Sequence, residues 1–122
     1  MWAAEVLADD LLKHADNVIP KRGFTDVFVH ASKDSFKVLH NGKWVNLSHR
    51  DMANFLKSKG VTGDIRLISC NAGQCNLAQN LANKLNVTVE AATTKVGVPI
   101  DFRSSPLLQP GGKWIPFTPF GN

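Results

Sequence analysis

Two side chains in this sequence combine reactivity with placement. His30 closes the short apolar run Asp26–His30 (DVFVH), and Cys70 closes Asp64–Cys70 (DIRLISC). Both runs read as β-strands, and open α/β sheets gather their chemistry at the carboxyl ends of strands. If the two strands are neighbours, imidazole and thiol enter one crevice. There the histidine draws the thiol proton or stabilises a thiolate, which makes a nucleophile. Cys70 also leads from Ser69 into the turn Asn71-Ala72-Gly73 ahead of a helix, where amides lower a thiol pKa and hold an oxyanion. Ser69, Asn71 and Gly73 are therefore supporting candidates. Each residue also has a purely structural use: cysteine is among the most buried residue types, and a histidine at a strand end is often a hydrogen-bonded surface group.

A second constellation uses other residues. His30 and His49 as acid and base, Lys33 as the cation for transition-state charge, and Thr93 or Thr94 would together supply what RNA cleavage requires. Cys70 would then be dispensable. His40 flanks a turn and His14 lies in a terminal segment, so neither is preferred. Ser104-Ser105 lacks the surroundings of a nucleophile elbow, and no phosphate-binding loop is present. Cys70 and Cys75 stand five apart without a second pair, a pattern that predicts free thiols and no structural zinc site; no metal or cofactor is expected.

These groups need elements to position them. Val6, Leu7, Leu11 and Leu12 predict an amphipathic helix over Trp2–His14, and Pro20 and Gly23 mark a linker over Asn17–Gly23. Residues 1–22 thus read as an N-terminal helix and linker, and 23–122 as the domain proper. Phe36–His40 and Lys43–Leu47 flank Asn41-Gly42, whose residues accept the positive φ of a type I′ hairpin turn. Ser48 with Asp51 predicts a capped helix whose apolar face is Met52, Phe55 and Leu56 and which ends at Gly60. Leu77, Ala78, Leu81, Ala82 and Leu85 mark a second helix, stopped by Asn86 and followed by a strand over Val87–Ala92. Strand, helix and strand at this spacing imply a parallel pair. Pro99, Pro106, Pro110, Pro116 and Pro119 leave the tail irregular, or an edge strand near Lys113–Phe117. The expected fold class is α/β: a single domain with a small mixed or parallel sheet, a β-hairpin and flanking helices.

Composition bounds the partners. The chain has 122 residues, 43% of them hydrophobic and 20% charged, as in a globular domain. No run approaches the roughly 18 apolar residues of a membrane-spanning helix. Residues 1–16 carry one basic and four acidic side chains, while residues 17–122 carry thirteen and six, a net +7. Such a body suits an anionic partner, either RNA or an acidic protein.

Three stretches carry a family likeness: Gly23–Leu56, Ile65–Gly73 with Asn76–Leu85, and Gly111–Pro119 (GGKWIPFTP). They resemble the C-terminal toxin domains of bacterial polymorphic toxins, of the Rhs/WapA and contact-dependent growth inhibition types. The resemblance implies an effector secreted as part of a larger bacterial protein, acting in the cytoplasm of a target cell and neutralised by a cognate immunity protein. An acidic immunity protein would complement the basic body. A histidine-ending strand followed by a strand running into Ser69-Cys70-Asn71-Ala72-Gly73 also looks like a reduced caspase-like cysteine peptidase core, with His30 and Cys70 as its pair. Caspase-like enzymes usually place glycine after the histidine, where this chain has Ala31, and the A-P-T pattern of the toxin-like sequences is replaced by Ala92-Thr93-Thr94. The expected activity is a hydrolase acting on protein or another acyl substrate; the alternatives are a ribonuclease toxin and a non-enzymatic binding or delivery module.

Overall fold

A computed structural model describes residues 2–3, 17–19, 21–31, 35–40, 43–69, 76–97 and 102–120. In chain order the strands are β1 (Trp2–Ala3), β2 (Phe24–Phe28), β3 (His30–Ala31), β4 (Phe36–His40) and β5 (Lys43–Leu47), then β6 (Asp64–Ile68), β7 (Val89–Ala92), β8 (Val96–Gly97), β9 (Leu107–Leu108) and β10 (Trp114–Phe117). Helix α1 (His49–Ser58) lies between β5 and β6, and α2 (Leu77–Leu85) between β6 and β7.

The main sheet has the order β1-β2-β6-β7-β10. Its first four strands run parallel, and β10 closes one edge antiparallel to β7. Pro116 sits in that edge strand, where its missing amide removes no ladder bond to a further strand. A second sheet, β3-β4-β5, contains the expected hairpin with Phe36 opposite Leu47 and His40 opposite Lys43; its Asn41-Gly42 turn falls outside the described residues. Strands β8 and β9 form a third, two-stranded sheet, with β9 inside the proline-bearing tail expected to be irregular. The chain is thus one small α/β domain with a mixed sheet, a hairpin and two helices.

The helices follow their sequence signals. Ser48 caps α1, its Oγ accepting from the Asp51 amide at 3.2 Å. After Lys59 the chain turns at Gly60 (φ 77°), a conformation a side chain resists. Asn86 ends α2 in the left-handed region at φ 57°. The two helices pack on one another, and α2 packs on β7, so Met52, Leu56, Leu81 and Ala82 bury fully against Ile65, Leu67 and Val89. Lys57, Ile65, Leu85 and Val87 line one small cavity, which puts the Ile65 side of the sheet beneath the helices.

The opposite side meets the segment before β2. Val18 is buried and bridges to Ser104, the Ile19 amide donates to the Ser104 carbonyl at 2.8 Å, and the Arg66 guanidinium donates to the Ile19 carbonyl at 2.9 Å. Residues 17–19 and 21–23 therefore lie against the sheet as a strap.

Two expected elements differ. Trp2 and Ala3 form a strand, not the start of a helix: they pair with Val27 and Phe28 along the open edge of β2. That edge offers unpaired backbone groups, whereas the first residues of a helix leave their amides unpartnered. Residues 4–16, which hold the rest of the expected helix, fall outside the described residues. His30 does not end the first strand. β2 stops at Phe28, the Val29 amide donates to the Ile68 carbonyl at 3.3 Å, and the chain then leaves the main sheet to pair His30 with Lys37.

Candidate active site at the carboxyl edge of the sheet

Because β2, β6 and β7 are adjacent and parallel, their carboxyl ends lie side by side. Phe28 is registered with Ile68, and Leu67 with Ala91. Val29 and His30, Ser69 and Cys70, and Thr93 and Thr94 are thus the residues that follow three neighbouring strands. The strand adjacency on which a His30/Cys70 pair depends is present.

His30 is half-buried at the junction of the two sheets. Ser69 is fully buried, and its hydroxyl has no hydrogen-bond partner among the described residues. Its amide donates to the Leu67 carbonyl at 3.0 Å, a tight local turn that ends β6. Cys70, Asn71, Gly73 and Lys33 fall outside the described residues, as does Cys75.

The other candidates have identifiable structural work. Thr93 exchanges bonds with Lys113: its amide donates to the Lys113 carbonyl at 2.9 Å, and its hydroxyl accepts from the Lys113 amide at 3.0 Å. Thr94 donates to the Lys95 carbonyl at 3.2 Å. A Cβ on Gly112 would come within 2.5 Å of the Thr94 hydroxyl and 2.9 Å of the Gln109 carbonyl, so only glycine lets this turn close over Thr94. His49 begins α1, in the helix layer. Burial, then the charges of Arg50 and Lys84, hold its pKa below the usual histidine value and favour the neutral ring.

Sequence reading missed a row of charge across the middle of the sheet. Asp26, Arg66 and Glu90 occupy one register row on β2, β6 and β7, and all three are buried. Arg66 binds Asp26 through two contacts, Nε to Oδ1 at 2.6 Å and Nη2 to Oδ2 at 2.8 Å. Glu90 accepts from the Lys21 ammonium of the strap at 2.6 Å, and Arg66 lies 6.0 Å from the centre of the Trp114 ring. The available signal was a charged residue in the interior of each of three largely apolar strands. Every carboxylate of this row is paired, as buried charge requires.

Among the described residues no three His, Cys, Asp or Glu side chains gather as a metal-binding group, and no helix is long and apolar enough to cross a membrane. Comparison with protein families matches residues 4–115 to a family described as a domain of unknown function, DUF8616. The chain belongs to this family. The match runs from the segment before the strap into β10, so it takes in both helices and all three sheets apart from β1 and the end of β10. The comparisons with curated proteins and with solved structures find no match.

Proposed function

We propose that this DUF8616 chain is the effector domain of a bacterial competition system, a hydrolase that uses His30 as general base and Cys70 as nucleophile on a protein or other acyl substrate. The supporting observation is the parallel pairing of β2 with β6, with Phe28 opposite Ile68 and the Val29 amide on the Ile68 carbonyl. It brings the chain just before His30 beside the chain just before Cys70. Cys70 is one peptide bond beyond Ser69, the last described residue of its strand.

In this mechanism His30 takes the thiol proton of Cys70, and the sulfur attacks the acyl carbonyl. The resulting tetrahedral oxyanion requires donors, a role for amides around Asn71 and Gly73. Collapse to a thioester expels the amine, which takes its proton from the His30 imidazolium. Water, deprotonated by His30, then releases the acid and restores the thiol. The domain would be secreted within a larger bacterial protein, act in the target-cell cytoplasm and be held inactive by a cognate immunity protein.

The test is growth of bacteria expressing the domain from a tightly controlled promoter, with total RNA resolved on a gel. Wild type is expected to arrest growth with RNA intact, and Cys70→Ser and His30→Ala to abolish the arrest. Arrest by Cys70→Ser accompanied by RNA fragments would replace the cysteine mechanism with a histidine ribonuclease. A harmless wild type would overturn the effector assignment.

A further inference from the structure

The hairpin sheet ends in a strand with a bare edge. In the order β3-β4-β5, strand β5 pairs with β4 on one side and with no described strand on the other. Only two residues separate His40 from its partner Lys43, and a hairpin that tight closes on a hydrogen-bonded pair. Hydrogen-bonded and open pairs then alternate along the ladder. Lys43, Val45 and Leu47 therefore commit their amides and carbonyls to β4. Trp44 and Asn46 turn theirs outward, and among the described residues nothing bonds to them.

The edges of the main sheet are guarded differently. β1 lies along β2, and Pro116 stands in β10. β5 has five residues, no proline and an unbroken register, and an open edge of that kind invites another strand.

The order of residues along β5 says which strand fits. Set antiparallel to itself about a two-fold axis at Val45, it places Trp44 opposite the second copy's Asn46 and Lys43 opposite the second copy's Leu47. The two symmetric Trp44–Asn46 pairs are the ones whose backbone groups face outward, so together they close four hydrogen bonds. Val45 meets Val45 at the axis in an open pair, where side chains approach most closely. Lysine never faces lysine, because Lys43, the one charged residue of the strand, meets a leucine. Val45 and Leu47 pack against the core but are only partly buried, so the second copy would cover what the single chain leaves exposed. An isologous contact requires a surface that complements itself, and this strand does. A foreign strand would find the same backbone groups without that match.

We infer that two copies of this chain pair through β5, joining two three-stranded sheets into one of six strands. The contact is small, so the dimer belongs to the weak, exchanging class. It does not depend on the function proposed above: His30 lies on β3, two strands from the axis.

Sedimentation equilibrium of the full chain from micromolar to millimolar concentration tests the pairing. Wild type should self-associate. Asn46→Pro deletes an outward amide without touching the β4 ladder, and should weaken association roughly thirtyfold for the two symmetric hydrogen bonds lost. Circular dichroism checks that this variant folds. Oxidation reads the register independently, in a Cys70→Ser, Cys75→Ser background. Val45→Cys brings the two copies of position 45 to about 4.5 Å between Cα atoms, within reach of a disulfide. Lys43→Cys leaves its two copies about 14 Å apart. Val45→Cys should thus link into a covalent dimer far faster than Lys43→Cys. A wild type that stays monomeric at millimolar concentration overturns the inference and leaves the edge to a strand of another protein. Association that a folded Asn46→Pro leaves intact, or equal linking at positions 43 and 45, overturns it by placing the contact elsewhere.

Discussion

The middle of the main sheet and its carboxyl edge both carry polar groups in a largely apolar setting, and they treat them in opposite ways. In the middle, Asp26, Arg66, Glu90 and Lys21 satisfy one another and fasten the strap through the Ile19 carbonyl. At the edge, three residues after Arg66 and just past the end of β6, the Ser69 hydroxyl is buried with no partner among the described residues. A paired buried charge explains itself as structure. An unsatisfied buried hydroxyl calls for another explanation, and Ser69 stands one residue before the proposed nucleophile Cys70. The comparison separates polar residues that hold this protein together from those that could act.

The contrast can be broken most strongly at Arg66. Arg66→Ala strands the Asp26 carboxylate inside the sheet and should cost about 3–5 kcal/mol of stability, read as a lowered urea midpoint. Asp26→Leu combined with Arg66→Met removes both charges and should recover much of that loss; a double variant no better than Arg66→Ala would show that the pair does more than neutralise itself. Gly112→Ala probes the edge at Thr94, where the new methyl has no room, and should destabilise by about 1–3 kcal/mol. Ser48→Ala, which removes the α1 cap, should cost about 1 kcal/mol in the same measurement.

Ser69→Ala sharpens the comparison in the other direction. It deletes a hydroxyl with no described partner, so stability should stay within about 1 kcal/mol of wild type or rise, while the growth arrest proposed for this domain should weaken. A large stability loss would mean that Ser69 is structural after all. The smallest effect concerns pH. His49 resists protonation in the folded chain, so around the unfolded histidine value the unfolded state binds more protons and stability falls as pH falls. His49→Gln should flatten that limb of the stability curve between the lowered folded value and about 6.5, the unfolded value. An unchanged slope would remove His49 as its source.

Much of the frame was legible in the sequence because it rests on local signals. Ser48, Gly60 and Asn86 act within a turn of their own position, and the hairpin register follows from the two strands beside Asn41-Gly42. What was not legible depends on distant partners. Trp2–Ala3 becomes a strand only because β2 has an open edge, and His30 leaves the main sheet because β4 is available to pair with it. The site divides in the same way. Parallel β6 and β7 follow from the strand–helix–strand spacing, whereas the placing of β2 beside β6 depends on a sheet order that no local signal carries. The Asp26–Arg66–Glu90 row needs the register of three strands, and no single segment reveals it.

The central claim is that His30 and Cys70 form one chemical unit at the carboxyl edge, and the pH profile of Cys70 alkylation tests it most directly. The full chain is treated with iodoacetamide across a pH series, and labelling of Cys70 and Cys75 is resolved by mass spectrometry in wild type and His30→Gln. Thiolate, not thiol, reacts. The account predicts that Cys70 in wild type labels with a midpoint well below the ordinary thiol value of about 8.5, that His30→Gln returns it towards that value, and that Cys75 is unaffected. A Cys70 midpoint identical in the two proteins would contradict the pair and leave its cysteine as packing.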